Sequence, residues 1–240
     1  MNLEPEAWSL RWYRQMVGIS SIGDTTVVTD KWMLGTRNSF FIGIVATLLA
    51  TALGTVAALG LSRPHMPFKA VLMAILISPM IVPLIITAAG MFFFYSKMGL
   101  THTYLGLILA HTALGTPFVV ITVTATLTGF DTNLIRASQS LGANTMRTFF
   151  KVIMPLILPG VISGGLFAFI TSFDEVVVVM FVGSVEQITI PKQMWAGLRQ
   201  ETSPVILCMA TCLVALSIAL LTTVELLRRR SERLRGIKQR

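Results

Sequence analysis

From Phe40 to Leu61 the chain runs 22 residues without a charged side chain, and it repeats this pattern four more times. Val71–Phe94 has 24 such residues, Tyr104–Thr126 has 23 and Pro204–Val224 has 21. Pro155–Val182 has 28 and is interrupted only by Asp174 and Glu175. About 20 apolar residues in a helix cross the roughly 30 Å of bilayer hydrocarbon. Unpaired backbone polar groups cannot face lipid, so such runs fold as helices. Barrel strands would alternate apolar and polar residues, and these runs do not. The expected fold class is therefore all-α, a polytopic membrane protein with five transmembrane helices.

Composition supports this. The 240 residues are 54% hydrophobic and only 12% charged, with a mean hydropathy of +0.75. Soluble domains carry about 25% charged residues. An ordinary soluble enzyme, a disordered chain and a disulfide scaffold are excluded. The net charge of +8 does not indicate nucleic-acid binding, because seven of nineteen Lys/Arg crowd into residues 228–240. A basic cluster just past an apolar span reads as a cytoplasmic anchor on anionic lipid.

The same count orients the chain. Segments 62–70, 127–154 and 228–240 carry two, three and seven Lys/Arg, whereas 95–103 and 183–203 carry one and two. The first set is expected in the cytoplasm, with the C-terminus, and five spans then leave the N-terminus outside. Residues 1–39 contain four basic and four acidic side chains and no signal-peptide core.

Small residues recur every four positions in the first run, at Ala46, Ala50, Gly54 and Ala58. Such a ladder admits another helix closely, from this chain or from a partner subunit. Thr47, Thr51 and Thr55 lie beside it and could hydrogen-bond across the contact. Pro79 and Pro83 should bend the second span, and residues 92–95 (Phe-Phe-Phe-Tyr) fit an interfacial aromatic belt. Cys208 and Cys212 are read as buried packing residues. His65, His102 and His111 are too scattered for a metal site, and His111 fits a polar contact between helices. No P-loop, G-x-G-x-x-G, H-E-x-x-H or C-x-x-C motif occurs.

Two features exceed packing. Residues 127–154 form a long polar segment, LTGFDTNLIRASQSLGANTMRTFFKVIM. Asp131 or Asn133 can cap a short helix running to about Leu141, Gly142 can supply a left-handed turn, and Asn144 or Thr145 can start the next helix. Leu134, Ala137, Ser138 and Leu141 share a face, so the short helix rests either on lipid or on a soluble partner. The second feature is Asp174-Glu175, deep in the fourth run. Ionisable residues there sit at the interface or in a cation path.

Arg136-Ala137-Ser138, three residues, Gly142, nine residues and Val152-Ile153-Met154-Pro155 together resemble the EAA loop of binding-protein-dependent ABC importer permeases. From Trp12 to Arg230 the chain looks like the second permease of polyamine importers. Ser78-Pro79, Pro117–Val120, Ser172–Val178, Pro191–Trp195 and Ser203-Pro204 carry that likeness. The resemblance implies a type I ABC importer permease fold, with domain limits of 1–36 (extracytoplasmic), 37–227 (permease domain, coupling segment 131–155) and 228–240 (basic tail). It implies a subunit of a bacterial inner-membrane importer for a polyamine or similar organic cation. ATP and Mg would be bound by a partner ATPase, and this chain would be no enzyme and hold no cofactor. The implied partners are a second permease, two copies of the ATPase, an extracytoplasmic binding protein and membrane lipid. Leu134, Ile135, Arg136, Ala137, Ser138, Leu141 and Gly142 would dock the ATPase, and Asp174 and Glu175 would line the substrate path. Two departures stand out: Arg136 replaces the family's Glu, and the family usually has a sixth span before the Trp8–Val17 region.

An ion-coupled secondary transporter is the alternative. It favours inverted repeats and more intramembrane charge, which this sequence does not show.

Overall fold

The computed structural model describes residues 10–17, 26–63, 65–200 and 204–234, and these are helical with short connections. The elements are α1 (Arg11–Val17), α2 (Thr26–Leu61), α3 (Lys69–Ile81), α4 (Leu84–Lys97), α5 (Tyr104–Thr128) and α6 (Asn133–Ser140). They continue with α7 (Thr145–Thr148), a π-helical turn (Phe149–Ile153), α8 (Met154–Phe173), α9 (Val177–Val182), α10 (Ile190–Gln200) and α11 (Pro204–Leu234).

Among the described residues, three helices are long and apolar enough to cross a bilayer: Lys31–Leu61, Tyr104–Thr128 and Thr145–Phe173. The second run bends as Pro79 and Pro83 lead one to expect, and the fourth is broken at its two acids. The second run breaks at Val82-Pro83 and bends by 103° between α3 and α4, so it counts as a fourth span only if the pair is taken together. Pro83 lacks the N–H that would continue the helix. The fourth run ends at Phe173 and resumes as α9. The fifth run lies in α11, which runs from Pro204 to Leu234. Of the basic tail, residues 235–240 lie outside the described residues, as do 1–9 and 18–25 of the N-terminal segment.

Helices α2, α5 and α8 form the centre. Ala46, Ala50 and Ala58 are buried, and Ala50, Ala58, Val119, Val123, Ile157 and Ala168 share one cluster. Helix α2 approaches α5 so closely that a Cβ on Gly54 would lie 2.7 Å from Cβ of Val119. The small-residue ladder is therefore used within this chain. The expected threonine bonds do not all form: the Thr47 and Thr55 hydroxyls are buried with no partner. His111 Nδ1 and Ser172 Oγ, 2.7 Å apart, join α5 to α8, as a polar interhelical contact should.

A second cluster packs α4 and α9 against α5, through Ala88, Tyr95, Leu107, Ala110, Val178 and Val182. Of the aromatic run, Phe93 and Phe94 are exposed while Tyr95 turns inward. Helix α3 buries no residue. The cysteines are both free, and only Cys208 is buried; Cys212 is exposed.

The loops separate into two faces. On one, the N–H of His102 donates to Val182 O at 2.8 Å, bringing 98–103 beside the end of α9. On the other, Ser62 and Arg63 after α2 line a 450 Å³ cavity together with Leu127, Phe130, Ile135 and Phe149. The segments after α2 and after α5 therefore lie together on this second face.

Candidate coupling segment and substrate path

In the 127–154 segment the short helix α6 is preceded by Thr132 at its N-cap, whose side chain makes no capping bond. Asp131 Oδ1 accepts the N–H of Asn133 at 2.9 Å, at the start of α6. Gly142 is left-handed, with φ of 79°. That conformation is nearly free for glycine and costs roughly 1–2 kcal/mol for other residues. Asn144 then caps α7, its Oδ1 accepting from the N–H of Arg147 at 2.8 Å.

The sides of α6 differ from the expected single face. Ser138 turns inward, and its Oγ pairs with Thr148 Oγ1 at 2.7 Å. Ile135 also turns inward, to the cavity behind the helix. Leu134, Arg136, Ala137 and Leu141 are exposed, Leu141 at 89%. A helix of two turns is not stable on propensity alone. Here the Ser138–Thr148 pair and the Asp131 bond hold it, and they leave a bare apolar ridge outward. Met146 and Phe150 are exposed as well, Met146 at the rim of the cavity.

At the other site α8 stops at Phe173, and Asp174 and Glu175 occupy the break. Both carboxylates line an open hollow of 350 Å³ with Leu84, Ile170 and Thr171. Leu84 follows the break in the second run, so two interrupted helices meet there. Asp174 is exposed. Glu175 is buried, and its Oε1 accepts the N–H of Val178 at 2.9 Å, capping α9. The two acids thus differ in setting: Asp174 is exposed beside the hollow, while Glu175 bonds to the backbone of α9.

Sequence reasoning missed a polar network on the same face as the 98–103 loop. Asn38, 1% exposed, donates to Glu186 O at 2.8 Å and Ile188 O at 2.9 Å. Tyr104 donates to Asn38 Oδ1 at 3.0 Å, and Ser39 Oγ accepts from the N–H of Ile190 at 2.9 Å. The signal was present: Asn38-Ser39 are polar residues inside what becomes a continuous helix. Lys192 lies in the Pro191–Trp195 stretch, early in α10. It donates to Val179 O at 3.3 Å and Ser184 O at 3.1 Å, and burial lowers its pKa from the usual lysine value. No group of three or more metal-ligating side chains occurs among the described residues.

Residues 17–233 match the family described as the binding-protein-dependent transport system inner membrane component. The chain belongs to this family. It is a permease subunit of a binding-protein-dependent ABC importer, a multi-pass bacterial membrane protein. The spermidine/putrescine transport system permease protein PotC of Haemophilus influenzae is 29% identical over 230 residues, covering 96% of this chain and 86% of that protein. PotC of Escherichia coli K12 is 26% identical over 93% of this chain and 81% of its own length. The putrescine permease PotI of the same strain is 28% identical, over 86% and 73%. Two solved structures share the fold. An amino acid ABC transporter with histidines has a TM-score of 0.64 at 15% identity, covering 88% of this chain and 99% of that one. The inward-facing MetNI methionine transporter has 0.60 at 22%, covering 85% and 95%.

Proposed function

We propose that this permease imports a polyamine or similar organic cation, with ATP and Mg bound by two copies of a separate ATPase subunit and with a second permease completing the path. The observation that carries the substrate class is the hollow where Asp174 and Glu175 meet at two broken helices. Carboxylates at such depth are costly unless they face water or a cation. The names of the PotC and PotI relatives support the same class.

In this reading the face with the 127–154 segment is cytoplasmic, as is the C-terminus, and 183–203 receives substrate from the binding protein. The ATPase is engaged by the exposed Leu134, Arg136, Ala137 and Leu141. Ile135, Ser138 and Gly142 act from behind by fixing the helix. Arg136 offers the opposite sign to the family's Glu, so apolar contact carries this docking. Closure of the ATPase pair would push α6, and the helices would exchange outward and inward access.

Uptake of labelled spermidine tests the path. Asp174→Asn removes the exposed charge while keeping its shape, so uptake should fall about tenfold, in line with a loss of 1–2 kcal/mol of binding. ATPase copurification should be unaffected. Wild-type spermidine uptake by the Asp174→Asn variant would remove Asp174 from the path.

A further inference from the structure

Lys192 stands in the first turn of α10 and ties together two elements that the chain otherwise joins only through Gly183. Its ammonium reaches Val179 O inside α9 and Ser184 O in the following loop. Both acceptors are backbone carbonyls. An ammonium has three donors and can hold both at once. Val179 O also accepts from the N–H of Gly183 at the end of α9, where carbonyl dipoles favour a cation.

The two tied elements have different attachments. The loop is fixed to α2 through Asn38 and Ser39, which hold residues 186, 188 and 190. Within the loop, Ser184 is held by Gln187, whose Oε1 accepts from the Ser184 N–H and hydroxyl. Helix α9 starts at the Glu175 cap beside the hollow and packs on α4 and α5. On the same face the N–H of His102 donates to Val182 O, and Leu100 packs against the cluster that holds Val178, Val179 and Val182. A displacement of the 183–190 loop therefore has a direct polar link to α9, and through six residues of helix to the Asp174-Glu175 break.

We propose that Lys192 is a positioning residue that makes the loop and α9 move as one body, so that engagement of the binding protein on this face reaches the hollow. This rests on the reading that the loop faces outward and that the hollow lies on the substrate path. Partially burying a long cationic side chain sacrifices hydration and rotamer freedom. The return here is a defined geometry between two elements.

The test uses the assembled transporter in lipid nanodiscs, with ATP hydrolysis measured with and without spermidine-loaded binding protein. Lys192→Met keeps the length and apolar stem but donates nothing. It should leave basal hydrolysis intact and cut the stimulation about tenfold, the scale of a typical coupling between sites. Lys192→Arg, which can still donate to two carbonyls, should restore most of it. Full stimulation in Lys192→Met overturns the proposal, and so does failure of Lys192→Arg to recover more than Lys192→Met. If spermidine-loaded protein does not stimulate the wild type, the substrate reading fails by itself. The tie is then read by amide hydrogen exchange, which needs no substrate. In Lys192→Gln, exchange across 177–182 and 183–189 should rise together; an unchanged profile, or a rise in only one segment, overturns the proposal. The same measurement decides the case if Lys192→Met does not assemble.

Discussion

Ser138 Oγ and Thr148 Oγ1 lie 2.7 Å apart, bridging α6 to the start of the long apolar helix Thr145–Phe173. Thr148 is 3% exposed, so its hydroxyl has little access to water if Ser138 is lost. Ser138→Ala should destabilise the segment by about 1–3 kcal/mol, the penalty of stranding a buried polar group. Adding Thr148→Val should recover part of that loss, because the stranded hydroxyl is gone. Thermal unfolding of the four-member mutant cycle checks this; strictly additive losses would mean that the two hydroxyls do not interact.

Gly142 isolates a backbone effect. A Cβ there meets nothing within 4 Å, so a side chain brings no clash and only the left-handed φ matters. Gly142→Val should cost roughly 1–2 kcal/mol at this turn and misdirect α7. Gly142→Asn should be tolerated far better, since asparagine visits this conformation. Uptake measured in both variants should fall in the first and persist in the second. Equal uptake would remove the turn as a constraint on coupling.

The His111–Ser172 pair makes a separate prediction about the bundle itself. His111 is 1% exposed and Ser172 is its partner across α5 and α8. Ser172→Ala should lower stability by about 1–3 kcal/mol, because the ring nitrogen loses its bond in a dry site. A melting curve of the detergent-purified chain reads the effect, and no loss would show that the pair does not support the bundle.

Much of this was legible in the residues. Runs without charge located the membrane helices, because lipid admits no other arrangement of backbone. Gly142 and Asn144 announced the turn and the cap of α7, and Asp131 a bond to the Asn133 N–H ahead of α6, since those depend on neighbours within a few residues. What escaped depends on distant partners. Pro83 signalled a bend, yet the 103° angle is set by how α4 packs on α5 and α9. Asp174-Glu175 marked an interruption in the fourth run, and the bond from the Val178 N–H to Glu175 shows how the helix restarts there. Asn38 holds carbonyls 148 and 150 residues away, and no local pattern encodes that. The face of α6 was read from spacing alone, which groups Ser138 with Leu134 and cannot foresee Thr148.

The central claim is that the outward ridge of α6 transmits ATP-driven motion to the helices. Leu141 tests it most directly, because at 89% exposure its replacement leaves the fold of this chain untouched. The measurement is copurification of the ATPase subunit with tagged wild-type permease and with Leu141→Asp, alongside a melting curve of each. The account predicts that the ATPase comes down with the wild type and is lost with Leu141→Asp at an unchanged melting temperature. An ATPase retained in full by Leu141→Asp, or absent from the wild type, would contradict it.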